Sequence, residues 1–260
     1  MTYETLLIEK EGAVVVIKMN RPPVNPLSAK AYIEMYDVLC ALEADETVRA
    51  IVVTATGEKA FAAGLDIKDV MGKTVSEILN FQQNVSKRCL DKLSGLGKPT
   101  IAAVFGLALG GGAEVALCCD MRIASETGVF GLPEVNLGIM AGSGGTQRLP
   151  RLIGAAKAKE LLFMGDTITA EEAFRIGLVN RVVPKEKLME EVMAVAQKLA
   201  AKPVVALNLI KSAVDQGLNT DLASGLMLEM QSFILAFTSE DGREGISAFV
   251  EKRKPNYKGR

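Results

Sequence analysis

Histidine and tryptophan are both absent from the 260-residue sequence. Without histidine, all Ser-His-Asp and Cys-His nucleophiles and most catalytic zinc sites are excluded. Acid–base chemistry therefore has to come from carboxylates, Lys, Tyr, Cys or backbone dipoles. Because only four Tyr accompany the missing Trp, the sequence also has few aromatic platforms on which single-stranded nucleic acid or sugars could stack.

An excess of charge of either sign and long apolar runs are also missing. Thirty basic residues against 31 acidic ones leave a net charge of -1, so no overall field attracts nucleic acid or anionic lipid. No apolar run approaches the roughly 18 uninterrupted residues of a membrane span, and the first ten residues resemble neither a secretory signal nor a transit peptide. The cysteines at 40, 89, 118 and 119 show neither CxxC spacing nor a disulfide pattern. We therefore expect a cytoplasmic protein with reduced thiols, no metal site, and no nucleic-acid or membrane partner.

What the sequence does contain is an alternation of β-branched runs and amphipathic segments, which is typical of an α/β fold. Residues 13–17, 50–55, 99–105 and 121–124 are predicted strands. Predicted helices run from a Ser28 N-cap to about residue 43, then over 75–93 and 113–119. After Pro184 the pattern changes to four consecutive helices, predicted over 185–201, 204–216, 221–237 and 239–251.

The third of these C-terminal helices carries a large apolar surface, which needs to be buried. It could cap the α/β core, or it could join subunits, and the sequence leaves both explanations open. The residues concerned are Leu226, Met227, Met230, Phe233, Ile234 and Phe237.

Three consecutive glycines, 110 to 112, follow a predicted strand and come just before Glu114. Glycine lets the backbone approach a ligand closely, and the N–H groups and dipole of the following helix favour an anion or a developing oxyanion. The same pattern suits an ordinary strand-to-helix turn whose glutamate complements the dipole. Spacing alone does not choose between the two.

Glu134 is a second acidic candidate, in the stretch from Phe130 to Gly138. It follows a proline among glycine and apolar residues, where poor solvation tends to raise the pKa of a carboxyl group and suits it to proton donation. An exposed loop glutamate is the alternative. Phosphate-binding loops do not fit, because GxxxxGK[ST] is absent and residues 142–147 (GSGGTQ) lack the third glycine of a dinucleotide fingerprint.

Several motifs occur in an order that is typical of one family. They are AFAAGLDIK at 60–68, GGGAE at 110–114, Glu134 followed by GSGGTQRL at 142–149, and FVEKRKP at 249–255. Together they resemble the crotonase (enoyl-CoA hydratase/isomerase) superfamily over nearly the whole chain. The combination is highly specific to the superfamily and less specific to one reaction.

The resemblance implies an α/β fold in which a spiral of ββα units over 1–195 carries the acyl-CoA site. A helical trimerisation region over 196–260 follows, so the expected partner besides the acyl-CoA substrate is the chain itself, as a homotrimer or homohexamer. The implied enzyme is an enoyl-CoA hydratase, a hydro-lyase that converts an enoyl-CoA thioester into a 3-hydroxyacyl-CoA. Coenzyme A belongs to the substrate, and no separate cofactor is expected.

The resemblance also assigns roles to single residues. The backbone N–H groups of Leu65 and Gly111 form an oxyanion hole, and Glu114 and Glu134 act as acid and base on one water molecule. Isomerases of the family commonly keep one of these acids, so the pair favours hydration. Leu65 stands where hydratases often have alanine, which affects the expected acyl specificity. The predicted substrate-binding residues are Ala63, Gly64, Asp66, Ile67, Lys68, Gly142, Phe233 and Lys252.

Other functions remain to be separated from hydration of a simple enoyl-CoA. Isomerisation, or hydration of a dienoyl or cyclic thioester, would keep the same fold. RNA binding, known for some family members, is disfavoured by the balanced charge and the few aromatic residues. A glycosidase would also need two carboxylates, but the missing Trp and the triple glycine argue against it.

Overall fold

The computed structural model describes residues 3–260 and contains two β-sheets covered by helices. The α/β class predicted from the sequence is confirmed. The strands are β1 (Leu6–Glu11), β2 (Val14–Met19), β3 (Ala50–Ala55), β4 (Ala60–Ala62), β5 (Thr100–Val104), β6 (Leu107–Leu109), β7 (Met121–Ser125), β8 (Val129–Gly131), β9 (Thr167–Thr169) and β10 (Arg181–Val183).

The helices lie between the strands in the first two thirds of the chain and follow one another in the last third. They are α1 (Ala29–Ala44), α2 (Val75–Phe81), α3 (Lys87–Ser94), α4 (Gly111–Cys118), α5 (Gly145–Ile153), α6 (Ala155–Met164), α7 (Ala170–Arg175), α8 (Leu188–Ala200), α9 (Val204–Gly217), α10 (Leu222–Thr238) and α11 (Glu240–Val250). The four helices predicted after Pro184 correspond to α8 through α11.

The chain alternates between the two sheets as it advances, which produces the predicted spiral. One sheet has the order β1-β2-β3-β5-β7-β10 and the other has the order β4-β6-β8-β9. Thus β3, β5 and β7 enter the first sheet, and the strand after each of them enters the second. Pairing is parallel from β2 through β10 in the first sheet and from β4 through β8 in the second, while β1 and β9 pair antiparallel.

The central strands of the larger sheet are buried over their whole length. Every residue of β3 (AIVVTA) and β5 (TIAAV) is buried, as expected for parallel strands covered on both faces. Helix α8 packs against β2, β3, β5 and β7. The adjacent thiols of Cys118 and Cys119 are also buried and act as small apolar groups in this core.

The helix predicted over 75–93 differs from a regular α-helix. Residues 82–86 form a π-helical turn between α2 and α3, so the helix holds one more residue per turn there. This turn directs Gln82 and Ser86 toward the loop at 142–143. The helix start at Ser28 is as predicted, since its hydroxyl accepts a hydrogen bond from the Ala31 N–H at 3.2 Å.

The C-terminal helices form a layer with a large exposed apolar surface. The predicted boundary between the spiral core and the helical region, at 195/196, lies inside α8. The nearest interruption of helical structure is the turn at 201–203, which precedes α9. Helix α10 packs against α9 and α11. Within residues 3–260, no single helix is long and apolar enough to cross a membrane, and two bent helix pairs meet that test by length and composition only. All six apolar residues of α10 named from the sequence are exposed: Leu226, Met227, Met230, Phe233, Ile234 and Phe237.

Candidate active site

Three neighbouring parallel strands of the smaller sheet end beside one another and bring the candidate residues together. In its register Ala62 pairs with Ala108, and Leu109 pairs with Gly131. Leu65 lies just after β4, Gly111 begins α4 just after β6, and Glu134 lies just after β8. The edge formed by the carboxyl ends of these strands is therefore the candidate site, as is general in parallel α/β sheets.

The backbone N–H groups of Leu65 and Gly111 face the same small space. A Cβ placed on Gly111 would lie 3.6 Å from the Leu65 nitrogen, and one placed on Gly64 would lie 3.9 Å from the Gly111 nitrogen. The bridge between Leu27 and Leu65 uses the N–H and C=O of Leu27, which leaves the Leu65 N–H outside the ladder. Gly111 is the first residue of α4, where an N–H has no partner within the helix. Two free donors thus lie side by side.

Glu114 lies in the first turn of α4 and is only 3% exposed. Its Oε1 accepts hydrogen bonds from the N–H groups of Ser143 at 2.7 Å and Gly145 at 2.8 Å. Both donors come from the loop before α5. Two backbone donors on one oxygen stabilise the charged carboxylate and leave Oε2 available for another ligand.

Glu134 lies in a short 3-10 turn, Pro133–Leu137, and is half-buried. Its Oε1 is 3.1 Å from the position that a Cβ on Gly110 would occupy, so the carboxyl group rests against the glycine turn that starts α4. Its Oε2 is the one fully enclosed side-chain oxygen or nitrogen in residues 3–260 that has no hydrogen-bond partner. An enclosed oxygen without a donor is a poor place for negative charge, and it favours the protonated carboxyl group.

The two glutamates have raised pKa values for partly different reasons. Burial raises the pKa of Glu114, while the N–H groups of Gly145 and Ser143 and the charge of Arg148 act in the opposite direction. Burial is also the main cause of the raised pKa of Glu134. The hydrogen bond from its own backbone N–H lowers this pKa, and the charge of the nearby Glu114 raises it. The charge of Glu114 therefore acts on Glu134, and the pair cannot easily ionise twice.

A network behind Glu114 was not predicted from the sequence. The Ser143 hydroxyl donates to the Ser86 hydroxyl at 3.2 Å, and that hydroxyl donates to Gln82 Oε1 at 3.1 Å. Arg148 donates to the Ser143 carbonyl at 3.1 Å and forms an ion pair with Asp91 at 3.3 Å. These contacts hold the loop that supplies both N–H donors to Glu114. The Ser143–Ser86 and Arg148–Asp91 contacts each join residues 57 positions apart in the chain, and no local pattern marks such a contact.

The other predicted substrate-binding residues near β4 and α5 lie around the same edge. Asp66 is already engaged, since its carboxylate pairs with Arg21 at 3.0 Å and accepts from the Lys68 N–H at 3.3 Å. Ala63 and Gly64 form the backbone before Leu65, and Ile67 and Lys68 are exposed in the turn that follows. A Cβ on Gly142 would lie 3.2 Å from the Gln82 amide nitrogen.

Phe233 and Lys252 lie in the helical region, away from this edge. Phe233 is exposed on α10, where its ring centroid is 5.7 Å from that of Phe237, and Lys252 is exposed just after α11. No hydrogen bond or ring contact links either residue to the two glutamates in the part of the chain that the structure describes. Their role stays a prediction. Within that same part, no group of three or more Cys, Asp or Glu side chains converges as a metal site.

The fold is that of the crotonase-type proteins, and it places two free N–H groups and two carboxyl groups at one sheet edge. Similarity to known sequences and structures leads to the same class of protein. The family model for enoyl-CoA hydratase/isomerase matches residues 9–260. The chain therefore belongs to the enoyl-CoA hydratase/isomerase family.

Individual relatives match the chain over almost its full length. It is 43% identical to the crotonyl-CoA hydratase of Syntrophomonas wolfei over 258 aligned residues. This alignment covers 99% of each sequence. It is 43% identical over 255 residues to the short-chain-enoyl-CoA hydratase of Clostridium acetobutylicum, which covers 98% of this chain and 97% of that one. Among solved structures, the enoyl-CoA hydratase of Bacillus anthracis superposes with a TM-score of 0.94 at 39% identity, covering 99% of this chain and 100% of that chain.

Proposed function

We propose that the chain is a hydro-lyase that adds water across the 2,3 double bond of an enoyl-CoA thioester to give a 3-hydroxyacyl-CoA. The observation that carries the proposal is the unequal pair of carboxyl groups, Glu114 held by two N–H donors and Glu134 with an enclosed oxygen that has none. Hydration needs a base and an acid at the same time, and this pair supplies both. The names of the full-length relatives support the same reaction.

In the proposed mechanism, Glu114 is the base. Its Oε1 already accepts two hydrogen bonds, so Oε2 takes a proton from water as the water oxygen bonds to C3 of the substrate. Glu134 is the acid, and it gives its proton to C2 as the double bond is lost. The proton gained by Glu114 then replaces the one lost by Glu134, which restores the pair.

Negative charge gathers on the thioester oxygen while C3 is attacked. We propose that the N–H groups of Leu65 and Gly111 hold this oxygen. Each such donor contributes on the order of 3 kcal/mol to lowering the barrier. Because these donors belong to backbone fixed by β4 and α4, they need no rearrangement when the charge develops.

The test is to incubate the protein with a panel of 2-enoyl-CoA thioesters of increasing chain length. Hydration is measured as the loss of enoyl-thioester absorbance. We expect saturable hydration of at least the short-chain members. Hydration of none would refute the proposal. Movement of the double bond without uptake of water would show an isomerase instead.

Removing the charge of Arg148 should shift the pH at which the enzyme becomes active. In Arg148→Met, the pKa of Glu114 should rise, because the charge that lowers it is gone. The base must be ionised, so the acid-side limb of the kcat/KM profile should move to higher pH. Arg151→Met is the matched control, since Arg151 is exposed one turn along α5 and donates to the Gln147 carbonyl. Equal profiles for the two variants would argue against Glu114 as the base.

We also propose that the helical region holds a homotrimer or homohexamer and that Phe233 and Lys252 help bind the nucleotide end of coenzyme A. The support for the oligomer is the exposed apolar surface of α10, which subunit contacts would bury. We expect sedimentation of an oligomer at micromolar concentration. Paired substitutions Leu226→Glu and Met230→Glu should shift it toward monomer, and a monomeric wild type would contradict the proposal.

A further inference from the structure

Tyr32, on α1, is a buried phenol to which no role has been assigned. The residue is 2% exposed. The ring packs edge-on against Phe81, with centroids 6.1 Å apart and an interplanar angle of 77°. Its hydroxyl makes no hydrogen bond with any residue from 3 to 260. The hydroxyl oxygen is not fully enclosed, so part of its surface is open and can donate a hydrogen bond to a ligand.

The hydroxyl lies beside the two candidate oxyanion donors. A Cβ on Gly111 would be 2.9 Å from the Tyr32 Oη and 3.6 Å from the Leu65 nitrogen. Gly111 has no side chain, so nothing at that position separates the phenol from the N–H groups. The hydroxyl and both N–H groups therefore surround the same space.

The surroundings keep this hydroxyl protonated. Burial raises the pKa of Tyr32 well above its usual value, and the facing groups Glu114, Cys89, Cys118 and Glu134 each raise it further. A phenol in this state is a hydrogen-bond donor throughout the working range of an enzyme. It also cannot compete with Glu114 as a base.

We propose that the Tyr32 hydroxyl donates a third hydrogen bond to the thioester oxygen as that oxygen becomes an enolate, beside the N–H groups of Leu65 and Gly111. The inference rests on the proposed hydratase function. A donor fixed by ring packing next to the developing charge acts in the transition state more strongly than on the bound substrate. Tyr32 is then a catalytic residue, and the acyl group is the partner that its hydroxyl lacks within the chain.

The test is Tyr32→Phe, which removes one oxygen and keeps the ring packed on Phe81. Hydration of crotonyl-CoA should fall about 10- to 100-fold in kcat, the factor expected for a hydrogen bond to a charged group, with little change in KM. The thermal midpoint should stay close to that of the wild type, because the hydroxyl forms no hydrogen bond within residues 3–260 and the ring packing on Phe81 is kept. Tyr36→Phe is the matched control on the same helix, where the ring lies under Arg88 at 4.1 Å. It should keep the wild-type kcat.

Each other outcome overturns the inference in a recognisable way. An active wild type with an equally active Tyr32→Phe would show that the hydroxyl is idle. A fall in both thermal midpoint and kcat would show a structural role. A raised KM with unchanged kcat would place the hydroxyl on the acyl chain rather than on the enolate. A wild type that hydrates no enoyl-CoA would refute the proposed function itself, and the inference with it.

Discussion

Glu114→Gln and Glu134→Gln should each lower the kcat for hydration of crotonyl-CoA by about 10²–10⁴-fold, the usual contribution of general acid–base catalysis. Glutamine keeps the size of each side chain, and its oxygen can still accept from the Ser143 and Gly145 N–H groups at position 114. The double variant should be hardly slower than the slower single variant, because the two groups act on one water molecule as a unit.

The same two variants should not lose stability at neutral pH. Both carboxyl groups have raised pKa values in the folded protein, so the folded state binds their protons more tightly than the unfolded state does. The free energy of unfolding therefore falls as pH rises from the unfolded-state pKa through the folded-state value, and glutamine removes this loss. Denaturant unfolding at pH 5 and pH 8 measures the effect. Glu171→Gln, at an exposed position on α7, is the control for both rate and stability.

A severe loss in only one of the two variants, with double-bond movement retained, would indicate an isomerase. Unchanged rates in both variants of an active wild type would remove the pair from the mechanism. Loss of folding in either variant would contradict the pKa argument and leave the rate uninterpreted, so circular dichroism accompanies each assay.

Gly112→Ala should lower the free energy of unfolding by at least about 3 kcal/mol or prevent folding altogether, since forced overpacking against backbone is costly. A Cβ on Gly112 would lie 2.1 Å from the Ala62 carbonyl oxygen and 2.7 Å from its carbon. The clash is with the backbone of β4, so no side-chain rotation relieves it. Helix α4 would have to move away from β4, which would also displace Gly111 and Glu114.

Urea unfolding of Gly112→Ala beside Gly217→Ala checks this expectation. The first atom that a Cβ on Gly217 would meet is the Gly225 Cα at 3.9 Å, an ordinary contact, so this control should be close to wild type. Equal stability of the two variants would show that α4 does not need glycine for its approach to β4. The comparison separates a steric requirement from the general effect of replacing glycine in a helix.

Several of the longer elements of the fold could be predicted from local patterns, whereas β1, α5 and α6 were not predicted. Strands β3 and β5 are mostly apolar and rich in Ile and Val, and α1 has both a capping serine and helical spacing. The three-residue strands β4, β6 and β8 were not predicted, because so short a run carries no periodicity. The π-helical turn at 82–86 was missed for a related reason, since a single extra residue hardly changes the spacing of apolar positions.

The candidate site could be predicted only as separate motifs. The glycines before Glu114 indicated that the backbone is closely approached there. The sequence alone does not show that Gly112 is required because a side chain would collide with the Ala62 backbone. The donors to Glu114 come from Ser143 and Gly145, 29 and 31 residues further along, so the pairing depends on the tertiary fold. Tyr32 gave no signal at all, because a tyrosine on the buried face of a helix is usual in a core.

The interleaving of the two sheets has a consequence for how the chain acquires its structure. Strands β3, β5 and β7 of one sheet alternate along the chain with β4, β6 and β8 of the other. A chain that stops anywhere between them therefore leaves both sheets incomplete. Helix α8, which covers four strands of the larger sheet, is contributed only after all of those strands. Folding thus depends on contacts between distant segments and should be slow and cooperative, with no half of the spiral stable alone. A ribosome-bound chain would remain open to chaperones and proteases until nearly residue 200 has emerged.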